Sequence, residues 1–291
     1  MTLPVLDPMD KRLNAFSDAL SDSRLKDKVE SAGYVDGTPA QISAPCVDVR
    51  RAPDLQVGID TQFLLGQNVQ VFDRKDGWAW VQSEFDGYVG WIEEASLNEE
   101  FPEFTHRVQV QRSFVYPAAD LRFPVATILS MGSLVNVVGE AETRGTKYLV
   151  LSSGEAIIAS HLCPIDAFEV DYVSVAERFI GTPYLWGGAS GFGIDCSALI
   201  QLSMMMCDRE VLRDSDMLAA TLGEVIEPGE NFENLKRGDL IFWRGHAAIA
   251  QGGGMMLHSS GHTMSVVSEP LKEAIERIAY IYERPIGFNR P

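Results

Sequence analysis

The chain has 291 residues, 46% of them apolar, and a formal net charge of −17 at pH 7. That length holds two or three domains and at least one sizeable core. A field of that sign repels nucleic acid and anionic lipid, which excludes both as expected partners, and it is the ordinary balance of a soluble cytosolic protein. No window approaches the ~18 apolar residues of a membrane span. The opening MTLPVLDPMDKRLNAFSDAL carries acids early and has no unbroken apolar run. It does not read as an export signal, so the expected location is cytoplasmic. The four cysteines, Cys46, Cys163, Cys196 and Cys207, show no paired spacing and no CxxC. A disulfide framework and a cysteine zinc knuckle are both disfavoured.

In chain order, residues 9–34 have helical spacing, with Leu13, Phe16 and Leu20 on one stripe, and predict an N-terminal helical segment over 1–40. From about Val47 the pattern changes to short β-type runs broken by Gly, Pro and Asp. An internal echo follows. GQNVQV (66–71) and GSLVNV (132–137) share G-x-x-V-x-V, and DGYVGWIEEASL (86–97) is answered at a similar distance by SGEAIIASHL (153–162). Two copies of one small β unit are expected, over 41–100 and 101–168. Tight strands with G-W-I near the end resemble bacterial SH3-like domains, which are partly open barrels; the second copy has lost the Trp and is degenerate. After Pro164 the pattern turns to mixed α and β, giving a last domain over 169–291.

That last part contains GTPYLWGGASGFGIDCSALIQL (181–202). YVSVAERFI (172–180) reads as a helix that Gly181 ends, with Pro183 two residues on. Gly187, Gly188, Gly191 and Gly193 make a loop that can turn sharply and admit close backbone approach. Ile194-Asp195 then leads into CSALIQLSMMM, a second helix with Cys196 at its start. Free backbone N–H groups and the positive end of the helix dipole favour a thiolate there, so the expected pKa is lowered. The same groups can hold the oxyanion of a tetrahedral intermediate. The bland alternative, a small buried apolar cysteine, is what Cys46, Cys163 and Cys207 are taken to be.

A nucleophilic cysteine needs a base. LKRGDLIFWRGHAAIAQGGGMMLHSSGH reads as strand, strand, glycine turn, strand. A three-residue loop over Gln251-Gly252-Gly253 centres the hairpin on Gly252 and sets His246 directly opposite His258, with Cβ atoms about 5 Å apart. One imidazole can take the thiol proton while the other orients it. Their face neighbours Ala248, Ala250 and Met256 are apolar. His262 reads as a loop residue, and His106 and His161 belong to the β repeats.

GTPYLWGGASGFGIDCSALIQ, KRGDLIFW and the two histidines together resemble the NlpC-type cell-wall cysteine peptidases, a papain-like α/β family. The family pattern runs P-Y-x-W-G-G, D-C-S-G-L, G-D-L-x-F, H-V-G-I-Y and a late His, and the likeness covers about residues 172–270. It implies Cys196 as nucleophile, His246 as general base and His258 as orienting residue. It further implies Tyr184 beside the nucleophile, with Asp195 and Ser197 helping to hold substrate. Ala198 departs from the usual Gly, AAIA from V-G-I-Y, and Leu218 from a common Gln, the last expected to alter substrate contacts.

Two SH3-like units before such a domain resemble the γ-D-glutamyl-L-diamino-acid endopeptidases, which act on murein tripeptides or tetrapeptides with an unblocked L-Ala. In that group the first SH3-like unit contacts the free amine; GIDTQFLLGQ (58–67) and DGYVGW (86–91) resemble the contacting segments, with Asp60 and Tyr88 as the implied residues. The expected fold is therefore α+β, a papain-like NlpC-type domain after two small SH3-like barrels and a short helical segment. The expected activity is a cysteine endopeptidase of cell-wall peptide turnover that needs no cofactor. Three alternatives stand beside it: an NlpC-type amidase or peptidase for another wall bond, a non-catalytic binder of wall fragments, and a Cys/His/His zinc site. The zinc site is disfavoured because zinc ligands usually include a close-spaced pair.

Overall fold

The computed structural model describes residues 3–291. The chain divides into two units: Met9–Phe168, and Glu169–Pro291 accompanied by residues 3–8. No helix among the described residues is long and apolar enough to cross a membrane.

The expected N-terminal helix does not form. Residues 9–34 run through turns, a short parallel pairing of Ser21–Asp22 with Tyr34–Val35, and one 3-10 turn over Ser23–Leu25. Short polar side chains have captured the backbone instead. Ser17 Oγ donates to the Leu20 carbonyl and accepts from its N–H at 2.9 and 3.1 Å, and Asp22 accepts from the Arg24 N–H at 2.9 Å. Such local bonds compete with a helical ladder. Ala15 rather than the predicted stripe is the buried anchor, packed with Phe72, Trp80 and Val89.

The echo seen in the sequence is a structural repeat. In the first copy Val89–Glu93, Trp78–Ser83, Asn68–Lys75, Thr38–Ile42 and Leu97–Asn98 lie in that order in one sheet. Thr38–Ile42 thus belongs to the first β unit, across the predicted boundary at 40/41, because its register with Asn68–Lys75 begins at Thr38. In the second copy Thr127–Ser130, Arg112–Tyr116, Ala156–Ile158, Thr146–Leu151 and Val137–Thr143 form another five-stranded sheet. Gly66 and Gly132, the first residues of the two echoing segments, have φ of 89° and 90°. Each copy turns its long hairpin on a two-residue loop with both φ positive, Asp76-Gly77 and Arg144-Gly145, the turn that matches strand twist. Each copy has its own apolar core, around Val69, Val81 and Ile92 in the first and Val115, Leu129 and Ile157 in the second.

The C-terminal unit is a six-stranded antiparallel sheet with four helices. Its strands are β1 (Glu224–Val225), β2 (Leu240–Trp243), β3 (His246–Gly252), β4 (Met255–Ser260), β5 (Ser265–Pro270) and β6 (Gly287–Arg290), in the sheet order β1-β6-β2-β3-β4-β5. The helices are α1 (Tyr172–Glu177), α2 (Cys196–Met205), α3 (Ser215–Thr221) and α4 (Leu271–Ile281). Helix α2 packs on β3 and β4. Helix α4 buries Leu271, Ala274, Ile275 and Ile278 against Ile241, Trp243, Ala248, Met256 and Phe288. Because side chains alternate along a strand, Ala248 and Met256 share that face with His246 and His258.

The hairpin register differs from the expected one. Gly252 pairs with Met255 around a two-residue loop, Gly253-Gly254, with φ of 61° and 77°, and the ladder shifts between Ala250 and Gly252. Ala250 then faces Met256 and Ile249 faces Leu257, so continuing the ladder sets Ala248, not His246, across from His258. A bulge at Gln251 adds a residue to one strand and moves the pairing. His246 lies two positions further on the same face, and the two rings meet diagonally.

Candidate active site

Cys196 is the first residue of α2. The preceding glycine loop folds into a small hairpin, Ala189–Ser190 against Gly193–Ile194. A Cβ at Gly188 would lie 2.6 Å from the Gly193 carbonyl oxygen, and one at Gly193 would lie 2.7 Å from Leu185. Neither approach leaves room for a side chain. Ser259 in β4 donates to the Ile194 carbonyl at 2.7 Å, which fixes the loop to the sheet just before Asp195.

Asp195 is the N-cap of α2, accepting from the Ala198 N–H at 2.8 Å. It also receives a fork from Arg213, Nη1 to Oδ1 at 3.0 Å and Nη2 to Oδ2 at 2.7 Å. Arg213 donates to Ser197 Oγ at 2.9 Å as well, and its side chain is fully buried. The polar atoms of Asp195 and Ser197 therefore have firm partners inside the unit. Arg213 was not singled out as a site residue from the sequence. Leu218 on α3 is wholly buried, so the expectation that it alters substrate contacts is replaced by a core role.

The lowered cysteine pKa expected from the helix start is overturned. Cys196 is 6% exposed, and burial pushes its thiol up to about 12, with the Asp195 charge adding to the rise. The Ala247 and Ser197 N–H groups and the Arg213 charge pull downward and lose. Magnitudes explain the outcome. A helix terminus contributes about 0.3–1 kcal/mol, less than one pKa unit, whereas full burial can move a group by about 3–5 units. Tyr184 is held protonated by burial, with the Asp195 carboxylate acting in the same direction, so its hydroxyl remains a donor.

On the sheet side, His246 Nε2 lies 2.8 Å from His258 Nδ1, with the rings edge to face at 5.0 Å. His258 is 1% exposed, and its Nε2 lies 2.7 Å from Glu269 Oε1 on β5. Arg277 on α4 pairs with the same carboxylate. Glu269 and Arg277 were missed in the sequence, although one signal was there: Glu269 is separated by one residue from Val267, the β4–β5 partner of His258, and so shares its face. The hydrogen bond from His258 is the chief cause that brings the Glu269 carboxyl down to about 2, with Arg277 helping and burial opposing.

These bonds assign the tautomers. A carboxylate accepts only, so His258 Nε2 carries the proton toward Glu269 and its Nδ1 has a lone pair. His246 must then donate from Nε2, which leaves its Nδ1 as the open basic atom. Burial lowers His246 to about 3, with the Arg277 charge acting in the same direction and the Glu269 carboxylate against it. Thiol and imidazole are thus neutral at rest, and the backbone N–H of Ala247, next to His246, is hydrogen-bonded to the Cys196 sulfur. The zinc alternative does not fit this arrangement: the facing nitrogens of the two histidines are spent on each other and His258 Nε2 on Glu269, which leaves His246 Nδ1 as the one histidine nitrogen still open and the pair no set of ligands.

The histidines border a cavity of about 430 Å³ whose wall also includes Tyr184, Trp186, Trp243 and Tyr282. His262 lies on its rim in the turn after β4, as expected of a loop residue. Asp60 and Tyr88 line a different cavity of about 690 Å³ within the β unit, beside Trp80, Trp91 and Arg12. Tyr88 is buried there. His106 and His161 sit in the second β copy, bonded to Thr105 and Ser113 respectively.

Residues 181–282 match the NlpC/P60 family, and residues 49–97 match the bacterial dipeptidyl-peptidase Sh3 domain. The chain is 25% identical over 240 residues to dipeptidyl-peptidase 6 of Lysinibacillus sphaericus, covering 76% of this chain and 87% of that one. It is 27% identical over 240 residues to gamma-D-glutamyl-L-lysine dipeptidyl-peptidase of Bacillus subtilis, covering 75% and 77%. The crystal structure of an NlpC/P60 family protein from Bacillus cereus has the same fold, with a TM-score of 0.71 at 24% identity over 87% of this chain and 99% of that one. The chain thus carries an NlpC/P60 peptidase domain over residues 181–282, preceded by a bacterial SH3 domain over residues 49–97.

Proposed function

We propose that the chain is an endopeptidase of free murein peptides, cutting the γ-D-glutamyl bond to an L-diamino acid when the L-Ala amine is unblocked. The observation that carries this reading is the extent of the likeness. The two dipeptidyl-peptidases align over about three quarters of the chain, more than the peptidase domain alone could supply, whereas the match to protein P54 of Enterococcus faecium spans 30% of it.

In this reading Cys196 is the nucleophile, His246 the base and His258 its orienter. The thiol proton passes to His246 Nδ1 as the sulfur attacks the γ-carbonyl carbon, and backbone N–H groups at the start of α2 face the oxyanion. Tyr184 offers a further donor. His246 then gives the proton to the amine nitrogen as the C–N bond breaks, leaving a thioester. Water loses a proton to His246, attacks the thioester and frees the dipeptide. The cytoplasm is the proposed compartment; the reduced thiols of Cys163, Cys196 and Cys207 suit its reducing conditions.

The test is mass spectrometry of L-Ala-γ-D-Glu-diaminopimelate digests, free and N-acetylated. Release of L-Ala-γ-D-Glu from the free peptide, with the acetylated one slower by about 10- to 150-fold, is the expected result. Equal rates would refute the free-amine requirement, and a cut at another bond would refute the assignment.

A further inference from the structure

His246 has a second duty that locates the leaving group. A general acid must come within about 2.6–3.2 Å of the atom it protonates. Whatever is bonded to the departing nitrogen therefore begins beside this imidazole, while the acyl part stays on the sulfur. The 430 Å³ cavity has His246 in its wall, and its size falls in the range of small-molecule sites, about 300–1,000 Å³.

The rest of that cavity's lining has a distinct chemistry. Trp186 and Tyr282 are 69% and 83% exposed, so their ring faces are not consumed by the core. The Trp243 indole N–H is buried with no hydrogen-bond partner. At the edge, Glu283 accepts from the Arg244 backbone N–H at 3.0 Å, which holds the carboxylate in place. The Arg244 guanidinium reaches the other Glu283 oxygen only at 3.9 Å and is 82% exposed. One anion and one loosely engaged cation thus stand side by side in an aromatic-walled cavity. Their complement is a carbon bearing both an ammonium and a carboxylate, joined to the reacting nitrogen by an aliphatic stem that lies along the rings.

We propose that this cavity is the leaving-group subsite, and that Glu283 with Arg244 selects a diamino acid whose far carbon is a zwitterion, as in diaminopimelate. A side chain ending in a bare ammonium, as in lysine, engages Glu283 but leaves Arg244 without its anion. The proposal rests on the endopeptidase reading above.

Two measurements separate them. In the first, kcat/KM is compared for L-Ala-γ-D-Glu-meso-diaminopimelate and L-Ala-γ-D-Glu-L-Lys. The expected wild-type preference for the former is about tenfold; Arg244→Gln collapses that ratio toward one, and Glu283→Gln raises KM for both peptides. In the second, binding of free meso-diaminopimelate and of Nα-acetyl-L-lysine, whose free end is a bare ammonium, to Cys196→Ser is followed by tryptophan fluorescence, with and without Arg244→Gln. Cleavage with no preference that depends on Arg244 overturns the subsite and leaves the endopeptidase reading standing. No cleavage of either peptide, with Arg244-dependent binding of diaminopimelate retained, overturns the endopeptidase reading and supports the subsite. Neither cleavage nor binding overturns both.

Discussion

The helix side and the sheet side of the site each contain an Arg–carboxylate pair, and they use it differently. On the helix side Arg213 is fully buried and forks onto Asp195, which also caps α2. That pair touches the nucleophile's neighbours and fixes where the sulfur stands. On the sheet side Arg277 and Glu269 are about a quarter exposed, and the carboxylate accepts from His258 Nε2, which leaves His258 Nδ1 to accept from His246. That pair sets which ring nitrogen holds a proton. One arrangement is a matter of position and the other of protonation, and burial decides between them: an enclosed fork cannot give up its charge, whereas a rim carboxylate can tune a chain of imidazoles.

Removing the reacting groups themselves should have the largest effect. Cys196→Ala and His246→Ala are each expected to cost roughly 10⁴-fold in kcat with the fold retained, and the double variant little more than either single one, because the pair acts as a unit. Additive losses in steady-state assays would show that the two sides work independently.

Next comes the helix-side fork. Arg213→Met leaves the Asp195 carboxylate buried without its partner, an expected loss of about 3–5 kcal/mol in urea unfolding. A loss of activity with unchanged stability would mean that Arg213 acts on substrate, not on position.

The sheet-side pair should show the opposite balance. Glu269→Ala is expected to lower kcat about 100-fold with little effect on KM or unfolding, while Glu269→Gln, which keeps an acceptor for His258 Nε2–H, restores about a tenth of the activity. If Glu269→Gln is no better than Glu269→Ala, the tautomer assignment is wrong. A purely structural role would move the melting temperature instead.

The smallest effects are on pH dependence, and they assign one limb to each side. His246 is lowered to about 3 in the fold, so between that value and about 6.5 the unfolded chain binds a proton that the folded chain refuses. Its contribution is complete above pH 6.5 and is lost as pH falls. Glu269, lowered to about 2, adds a loss in the same direction below about pH 4.3. Cys196, raised to about 12, favours the fold below about pH 8.5 and loses that contribution as pH rises. Each group can contribute at most about 1.4 kcal/mol per pH unit. Urea melts from pH 4 to 10 should therefore lose part of the acid limb in His246→Gln and part of the alkaline limb in Cys196→Ala.

Much of the site was legible from short stretches, because the features involved are local. A glycine loop, an N-cap Asp195 and an apolar run place Cys196 at a helix start, and alternation along a strand puts His246 and His258 on one face. The β repeat was readable for the same reason: Gly66 and Gly132 begin equivalent hairpins. Other features depended on chain segments brought together from a distance. The pairing of the two histidines turned on one bulged residue at Gln251, which the count of loop residues does not reveal. The N-terminal helix failed although its apolar spacing was right, since Ser17 and Asp22 had nearer partners for the backbone. Arg213 and Glu269 come from α3's approach and β5, 18 residues from Asp195 and 11 from His258, and neither forms a motif with them. The ionisation of the thiol was a tertiary matter altogether. Sequence alone gives Cys196 its place at a helix N-terminus, a local and modest field. The fold decides how much water reaches the sulfur, and desolvation outweighs that field.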